Sequence, residues 1–521
     1  MTLVRSFLTV GSNTMASRVL GFVREMMIAA TLGAGPVADA FFAAFRFPNL
    51  FRRLFAEGAF NSAFIPLFAR ELEGKGEEGA RRFAEEVLAA LFVVLLLLTA
   101  LVEIAAPLLV ATIIAPGFAQ DPEKFALTTV LARVMFPYLA FMSLVAMLSG
   151  ILNALRRYFA AAFAPVLLNL ILIAVLAAGL LGDLDAVAVG WLMSWGVFGA
   201  GIAQLLLLGW AVRRAGVALR LRRPRLTPGV KRLLVLAFPA AIAGGITQIN
   251  LFIGQIIASL QPGAISVLQY ADRVYQLPLG VVGIAIGVVL LPELSRSLKA
   301  GHMREAAHTQ NRSLEFALFL TLPAAAALFV IPEPVVRVIF ERGAFSPETT
   351  ALTARVLAWF ALGLPAFVLI KVFQPGFFAR EDTRTPMYAA GTAMILNAAL
   401  SLSLFPFMAV EGIALATTIA GWVNAGMLLT LLIRRGHWPM EAGSLRRGGL
   451  IAAASLAMAL AVWAAAGVLD QALRPAAGIL IQAGVLLALV GVGALLYFAL
   501  VHTTGAADLR ALTAAMRRKG A

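Results

Sequence analysis

Long apolar stretches recur along almost the whole chain, with short polar segments between them. A helix needs about 20 apolar residues to cross the hydrocarbon layer of a bilayer. The apolar stretches and the breakers between them predict about fourteen spans, centred near residues 24, 53, 98, 138, 170, 200, 245, 283, 325, 362, 396, 421, 457 and 488. The pattern therefore predicts an all-α integral membrane protein without a separate soluble domain.

Composition supports this prediction and narrows the possible chemistry. Hydrophobic residues make up 61% of the 521 residues, charged residues 13%, and the mean hydropathy is +0.91, which exceeds what a soluble core requires. The chain has no cysteine, and its four histidines fall in or near predicted loops, so we expect no metal site. Because no P-loop, HExxH or GxSxG motif occurs, we expect neither ATP hydrolysis nor enzymatic catalysis, and no cofactor.

Basic residues alternate between the predicted loops. About 29 lie on one side of the membrane, together with both termini, and about 3 lie on the other, namely Lys124, Arg342 and Arg474. Short loops rich in arginine and lysine stay in the cytoplasm, so both termini are predicted to be cytoplasmic. The net charge of +15 is thus mainly a signal of topology, and we expect no nucleic-acid partner.

Two halves of the chain repeat weakly. Arg46, Pro137 and Asn169 recur as Arg273, Pro365 and Asn397, which indicates two parallel six-span repeats, with the substrate site between them as in many transporters. We therefore expect four regions: residues 1–215, an N-terminal six-helix lobe; 216–232, a basic cytoplasmic linker; 233–436, a C-terminal six-helix lobe; and 437–521, two extra helices with a basic cytoplasmic tail.

The first two predicted spans carry polar side chains along one face. In the first, Arg18 and Glu25 share a face, while Arg24 lies about 100° around the helix from Glu25. A continuous polar face at bilayer depth lines either a protein interface or a water-filled cavity. Ion pairs within the face, such as Arg46 with Asp39, would account for part of it. In the second span the stripe has Arg52 beside it and consists of Asp39, Arg46, Asn49, Arg53 and Glu57.

Arginine and lysine outnumber the acids at membrane depth. Each costs about 2.5–3.5 kcal/mol at a helix centre, so the excess needs a compensating role. Arg337 and Arg355 are expected to extend from helix ends to the outer surface. The remaining guanidinium groups suit bidentate recognition of phosphate or carboxylate. An exporter of organic cations would need carboxylates and aromatic faces instead, so the excess charge predicts an anionic substrate.

The run Ser17-Arg18-Val19-Leu20-Gly21-Phe22-Val23-Arg24-Glu25 resembles the MurJ/MviN family, as do Ala38-Asp39-Ala40-Phe41-Phe42 and Pro48 to Phe60. The resemblance covers essentially the whole chain and extends to Ala271-Asp272-Arg273 and to Phe378 through Pro386. Members of this family are bacterial lipid II flippases of the multidrug/oligosaccharidyl-lipid/polysaccharide exporter superfamily.

The resemblance implies two six-helix lobes around a central cavity, with the last two spans forming a groove for the lipid tail. It implies that the essential cavity arginines are Arg18, Arg24, Arg52 and Arg273; spacing alone does not choose between Arg52 and Arg53. Asp39 matches a cavity acid, and Glu25 stands where aspartate is more usual. The predicted substrate-binding set is Arg18, Arg24, Arg52, Arg273, Asp39, Glu25, Arg53 and Asn49.

A sodium site of some relatives would fall on Asn250, Asn397, Ser401 and Thr417. None of these is a carboxylate, so we expect no metal there.

The leading hypothesis is export of lipid II, the undecaprenyl-diphosphate-linked peptidoglycan precursor, by alternating access in the bacterial cytoplasmic (inner) membrane. The expected partners are lipid II and membrane lipids, and the expected state is a monomer. One alternative is another exporter of the superfamily, which moves a polysaccharide lipid or a drug. A second is a non-transporting scaffold for assembly of the cell envelope.

Overall fold

The computed structural model describes residues 3–51 and 60–506, with the exception of the side chains of residues 3–8, 51, 62, 239–251, 281–289 and 442. The described residues form α-helices, short 3-10 segments and one short π-helix (Val110–Ile114), and no strand occurs among them. The chain divides into two compact units, Met1–Ser266 and Val267–Ala521.

The first unit contains the helices α1 (Leu3–Leu32), α2 (Pro36–Phe51), α3 (Phe60–Leu109), α4 (Pro122–Met135), α5 (Tyr138–Ala154), α6 (Phe159–Leu181), α7 (Ala186–Arg214) and α8 (Pro228–Ala258). Helix α9 (Ala264–Lys299) starts in the first unit and continues in the second. The second unit contains α10 (Met303–Val330), α11 (Pro332–Phe340), α12 (Pro347–Phe378), α13 (Arg384–Arg434), α14 (Ala442–Val468) and α15 (Ile479–Thr504).

Several helices begin at a capping residue followed by proline. The capping oxygen accepts a hydrogen bond from a backbone N–H three residues on, as Asp121 Oδ1 does from Lys124 at 3.1 Å. Proline suits the first helical position because its missing N–H would have no partner there. This pairing begins α4, α8 and α12 at Asp121-Pro122, Thr227-Pro228 and Ser346-Pro347.

Apolar side chains cover much of the outer surface. On α3, Leu97, Leu101, Ile104 and Leu108 are 65%, 62%, 80% and 64% exposed. Their spacing of four, three and four residues puts them on one face of the helix. Such a face would be costly in water but suits contact with lipid.

Nine helical segments in the described residues are long and apolar enough to cross a membrane: Ala63–Ile114, Pro122–Ala154, Phe159–Leu181, Ala186–Arg214, Met303–Val330, Pro347–Phe378, Arg384–Arg434, Gly443–Val468 and Ile479–Thr504. Arg384–Arg434 covers two predicted spans, those centred near residues 396 and 421. The helix is interrupted between them at Ala409, whose backbone is non-helical with φ of 51°. The spans predicted near residues 53, 245 and 283 include side chains outside the described part. The prediction of an all-α membrane protein is confirmed, while the count of fourteen stays a prediction.

The predicted linker is attached to α3 over its length. Glu85 of α3, which is fully buried, accepts a hydrogen bond from the backbone N–H of Arg220 at 3.1 Å and forms an ion pair with Arg222. Glu86 accepts a hydrogen bond from the Thr227 hydroxyl at 2.8 Å. Residues 228–232 already belong to α8. Because Arg220, Arg222 and Thr227 are bonded to α3, the connection between α7 and α8 has little free length.

The end of α8 packs closely against the turn that follows α3. Ser259 accepts a hydrogen bond from the Gly117 N–H at 2.9 Å, and Gln255 donates to the Ile114 carbonyl at 2.8 Å. A Cβ atom on Gly117 would lie 2.3 Å from the Ser259 carbonyl oxygen. Because the obstructing atoms belong to the backbone, they cannot move aside as a side chain could.

We therefore expect Gly117→Ala to lower the free energy of unfolding by about 1–3 kcal/mol, as overpacking does elsewhere. Gly199→Ala on α7 is the matched control, since a Cβ there meets no atom within 4 Å and alanine favours a helix. Thermal unfolding in detergent measures both variants. Equal melting temperatures would contradict the close contact.

Candidate functional site

Arg24 is the predicted site arginine with the most complete set of contacts. Its side chain is 8% exposed. Its Nη2 lies 2.8 Å from Glu25 Oε1, and its Nη1 donates to Asn169 Oδ1 at 2.9 Å. The Nε atom is buried and has no hydrogen-bond partner among the described residues. The guanidinium is therefore fixed in place, and its Nε–H remains available as a donor.

Asn169 of α6 connects Arg24 to the preceding part of α1. While its oxygen accepts from Arg24, its Nδ2 donates to the Ser17 carbonyl oxygen at 3.0 Å. A Cβ on Gly21 would lie in ordinary van der Waals contact with this amide, at 3.6 Å, so α1 and α6 pack closely at this point. Asn169 orients Arg24 through both ends of its amide group.

Arg18 differs from Arg24 in its surroundings. Its side chain is exposed near the middle of the 30-residue helix α1. Within the described part of the chain, no carboxylate forms an ion pair with it. An exposed guanidinium at membrane depth is stable only where water or an anion reaches it.

Asp39 lies at the centre of a closed hydrogen-bond network. It is fully buried, and its Oδ2 accepts from Lys124 Nζ and from the Gly263 N–H, both at 2.7 Å. Its Oδ1 accepts from the Ser266 N–H at 3.0 Å and hydroxyl at 2.7 Å. Since α9 begins at Ala264, the carboxylate sits at the positive end of that helix. Both oxygens are fully used in this conformation.

Two further features fix the surroundings of Asp39. Gly263 has φ of 77°, and a Cβ there would lie 2.9 Å from the Ala34 carbonyl oxygen, so glycine is required by both backbone conformation and space. The Lys124 ammonium lies 4.0 Å from the centre of the Phe118 ring. The aromatic face and the carboxylate together compensate the buried lysine.

The remaining predicted residues are distributed differently. Asn49 is half-buried on α2, and its Nδ2 donates to the Phe45 carbonyl at 3.1 Å. Arg52 and Arg53 lie outside the described residues. Arg273 is half-buried on α9 in the second unit.

The positions that match the relatives' sodium site form hydrogen bonds among themselves. Asn397 Oδ1 is 3.3 Å from the Thr417 hydroxyl and 3.5 Å from the Ser401 hydroxyl. The side chain of Asn250 lies outside the described part. No cluster of three or more histidine, cysteine or acidic residues suited to a metal occurs among the described residues.

The motif from Phe378 to Pro386 forms the loop between α12 and α13. Asp382 accepts from the Thr385 hydroxyl and backbone N–H, and Arg435 Nη1 lies 2.7 Å from Asp382 Oδ2. The Thr385 hydrogen bonds, with Arg435 beside them, lower the pKa of Asp382 to about 2. Asp382 and Thr385 therefore stabilise the first turn of α13.

Sequence reasoning assigns no site role to Lys124 or Asn169. The sequence pattern places Lys124 among the outer-loop charges and marks Asn169 only as a repeated position. Both contact site residues that are 85 and 145 positions away in sequence. Two features of the sequence could have drawn attention to them: Lys124 is a basic residue on the side of the membrane that has few, and Asn169 is a polar residue within an apolar span.

We expect Lys124→Met to lower the free energy of unfolding by about 3–5 kcal/mol, because it leaves the buried Asp39 carboxylate without its counter-charge. The combined Lys124→Met and Asp39→Asn variant should lose less than the sum of the single losses. Lys75→Met is the control: the Lys75–Glu71 pair has the same 2.7 Å distance but a lysine that is 69% exposed, so its loss should be below about 1 kcal/mol. Additive losses in thermal unfolding would contradict the pairing.

Comparison with known proteins identifies one family. The family model described as "Lipid II flippase MurJ" matches residues 28–486. A curated relative from Rhizobium meliloti (strain 1021), named "Probable lipid II flippase MurJ", is 58% identical over 518 residues, which cover 99% of this chain and 97% of the relative. That alignment includes nearly all of α1, which begins before the family model does.

Solved structures show the same likeness. A structure described as "Lipid II flippase MurJ, inward closed conformation" matches with a TM-score of 0.76 and 25% identity, covering 95% of this chain and 98% of the other. An inward-facing multidrug resistance MATE family transporter matches with a TM-score of 0.67 and 14% identity, covering 82% and 98%. The second match reflects a shared fold alone.

Proposed function

Because the chain belongs to the lipid II flippase MurJ family, we propose that it moves lipid II from the cytoplasmic to the periplasmic leaflet of the bacterial inner membrane. Flipping is transport, so this family assignment agrees with the expectation of no catalysis. The observation that carries the proposal is the 58% identity to a relative of that name over 99% of the chain. The charge asymmetry of the loops supports cytoplasmic termini, and we take the acting unit to be a monomer.

The lipid diphosphate is the part of the substrate that the arginines would bind. Arg18 is exposed on α1 without a carboxylate partner among the described residues, and Arg24 holds an unused donor. Guanidinium groups bind phosphate oxygens in a bidentate manner and remain charged under all relevant conditions. Together with Arg52 and Arg273, which family resemblance adds, they would form a cationic cavity.

Alternating access would require the Asp39 network to open and close. The network joins α2 and α4 to the first residues of α9, and that helix continues into the second unit. Its bonds are several and mutually supporting, so it would favour one conformation until substrate binding shifts the balance. In this proposal Asp39 and Glu25 act by holding cations and helix ends, while the arginines contact the substrate.

The last two helices would accommodate the polyprenyl tail. On α15, Leu480, Leu487 and Leu495 are 86%, 72% and 71% exposed. Gly484 and Gly491 fall on the same face, and a Cβ on either would meet no atom within 4 Å. Exposed leucines separated by glycines make a shallow apolar furrow suited to a hydrocarbon chain.

The first test combines flipping with substitution of the arginines. In proteoliposomes, we expect the protein to flip lipid II and Arg24→Ala to abolish flipping. The Arg24→Lys variant should retain only part of the activity, because a point charge cannot reproduce the bidentate fork. Polysaccharide lipids with the same tail should compete poorly. Preferential flipping of those competitors would instead favour the alternative exporter, and absence of any lipid movement would favour the scaffold.

Two controls separate binding from folding. Arg24→Ala also removes the ion pair between Arg24 and the buried Glu25, so the Arg24→Ala, Glu25→Gln variant, which removes both partners, should recover stability but not flipping. Arg355→Ala removes an arginine whose Nε lies 2.6 Å from Glu411 and should retain flipping. Normal flipping by the combined Arg24→Ala and Arg273→Ala variant would refute the cationic cavity.

A second test concerns the tail furrow. We expect Leu487→Glu to impair flipping while the protein remains folded, because a carboxylate would face the hydrocarbon chain. Leu101→Glu is the control, since Leu101 is 62% exposed on α3 and carries a similar insertion cost. Equal flipping rates for the two variants at equal protein levels would show that α15 has no special role.

A further inference from the structure

A cleft of about 700 Å³ lies between α3, α5, the C-terminal end of α7 and the residues that follow α7. Its walls are mainly apolar, and leucine is the commonest residue there, including Leu88 of α3 and Leu144 and Leu148 of α5. On α7, Leu206 and Trp210 also line it and are 68% and 57% exposed. Exposed tryptophan is typical of the boundary between hydrocarbon and headgroups. The cleft therefore opens to the lipid phase near one surface of the membrane.

Two arginines lie at the mouth of this cleft. Arg213 and Arg214 line it, and both are exposed. The Arg214 guanidinium lies 5.2 Å from the Trp210 ring centre, which holds it beside the opening. Within the described residues, no carboxylate forms an ion pair with either arginine. The cleft thus combines an apolar interior with two uncompensated positive charges.

The cleft is built partly by the linker. Val217 and Leu219 line it, and the residues directly after them bind the buried Glu85 through the Arg220 N–H and the Arg222 side chain. Glu85 lies one turn before Leu88 on α3. The same helix therefore supplies a wall of the cleft and the anchor that holds its linker side in place.

We propose that this cleft binds an anionic glycerophospholipid, with its phosphate on Arg213 and Arg214 and one acyl chain along the leucines. Free phosphate could use the arginines but would leave the apolar walls empty. A zwitterionic lipid could fill the walls but would leave the positive charge uncompensated. An anionic lipid matches both, and basic residues at a membrane surface attract such lipids. The site does not depend on the flippase proposal, because none of its residues belongs to the proposed substrate cavity.

The test measures, by native mass spectrometry, the binding of phosphatidylglycerol and of phosphatidylcholine to the purified full-length protein. We expect the Arg213→Ala, Arg214→Ala variant to bind phosphatidylglycerol about thirtyfold more weakly, with little change for phosphatidylcholine. The Arg223→Ala, Arg225→Ala variant removes the same charge from exposed linker positions and should bind phosphatidylglycerol normally.

A second pair of variants tests the apolar part. Gly209 lines the cleft, and a Cβ there would meet no atom within 4 Å, so Gly209→Leu should occupy the cleft without disturbing the protein. We expect it to weaken phosphatidylglycerol binding at an unchanged melting temperature. Gly199→Leu lies on the same helix, also in open space, and should have no effect.

Three results would overturn the proposal. One is equal phosphatidylglycerol binding by the two double-arginine variants, which would mean that only overall charge matters. Another is unchanged binding by Gly209→Leu. The third is displacement of the lipid by inorganic phosphate, or preference for a polyprenyl phosphate, which would assign the cleft to a different ligand.

Discussion

The cost of placing a charge in hydrocarbon is the constraint on which the rest of this structure depends. Each charged side chain at membrane depth must find a counter-charge, several hydrogen bonds or water. Arg24 and Asp39 meet this condition through neighbouring helices, and they thereby determine where those helices pack. Arg18 does not meet it among the described residues. Arg24 meets it and still has a buried Nε donor without a hydrogen-bond partner there, so it can be held in place and also bind a ligand.

Glu25 and Asp39, two of the buried carboxylates of the first unit, show how the constraint produces rigidity. Glu25 forms an ion pair with Arg24, the residue before it. Asn169 of α6 accepts a hydrogen bond from the same guanidinium and thereby orients it. Asp39 gathers Lys124, Gly263 and Ser266 from two other segments. Breaking the Asp39 set would leave a desolvated carboxylate, so a rearrangement that separates these helices must give Asp39 new partners.

Local periodicity and charge predicted the membrane class and drew attention to Arg18, Arg24 and Asp39, because charges in apolar segments are conspicuous. Their partners could not be predicted in the same way. Lys124 and Asn169 lie far from them in sequence, and helical spacing relates only residues within a few turns. The stripe of the second span could not be followed to its end either, since Arg52 and Arg53 fall outside the described residues.

The attachment of the linker to α3 has a consequence for protein engineering. From its charge, prolines and position between halves, the segment 216–227 looks like a suitable place to insert a tag, a protease site or a fluorescent protein. Its bonds to Glu85 and Glu86 make it an unsuitable one. An insertion there would detach the start of α8 from α3 and expose a buried carboxylate, so probes are better placed in a loop without such anchors.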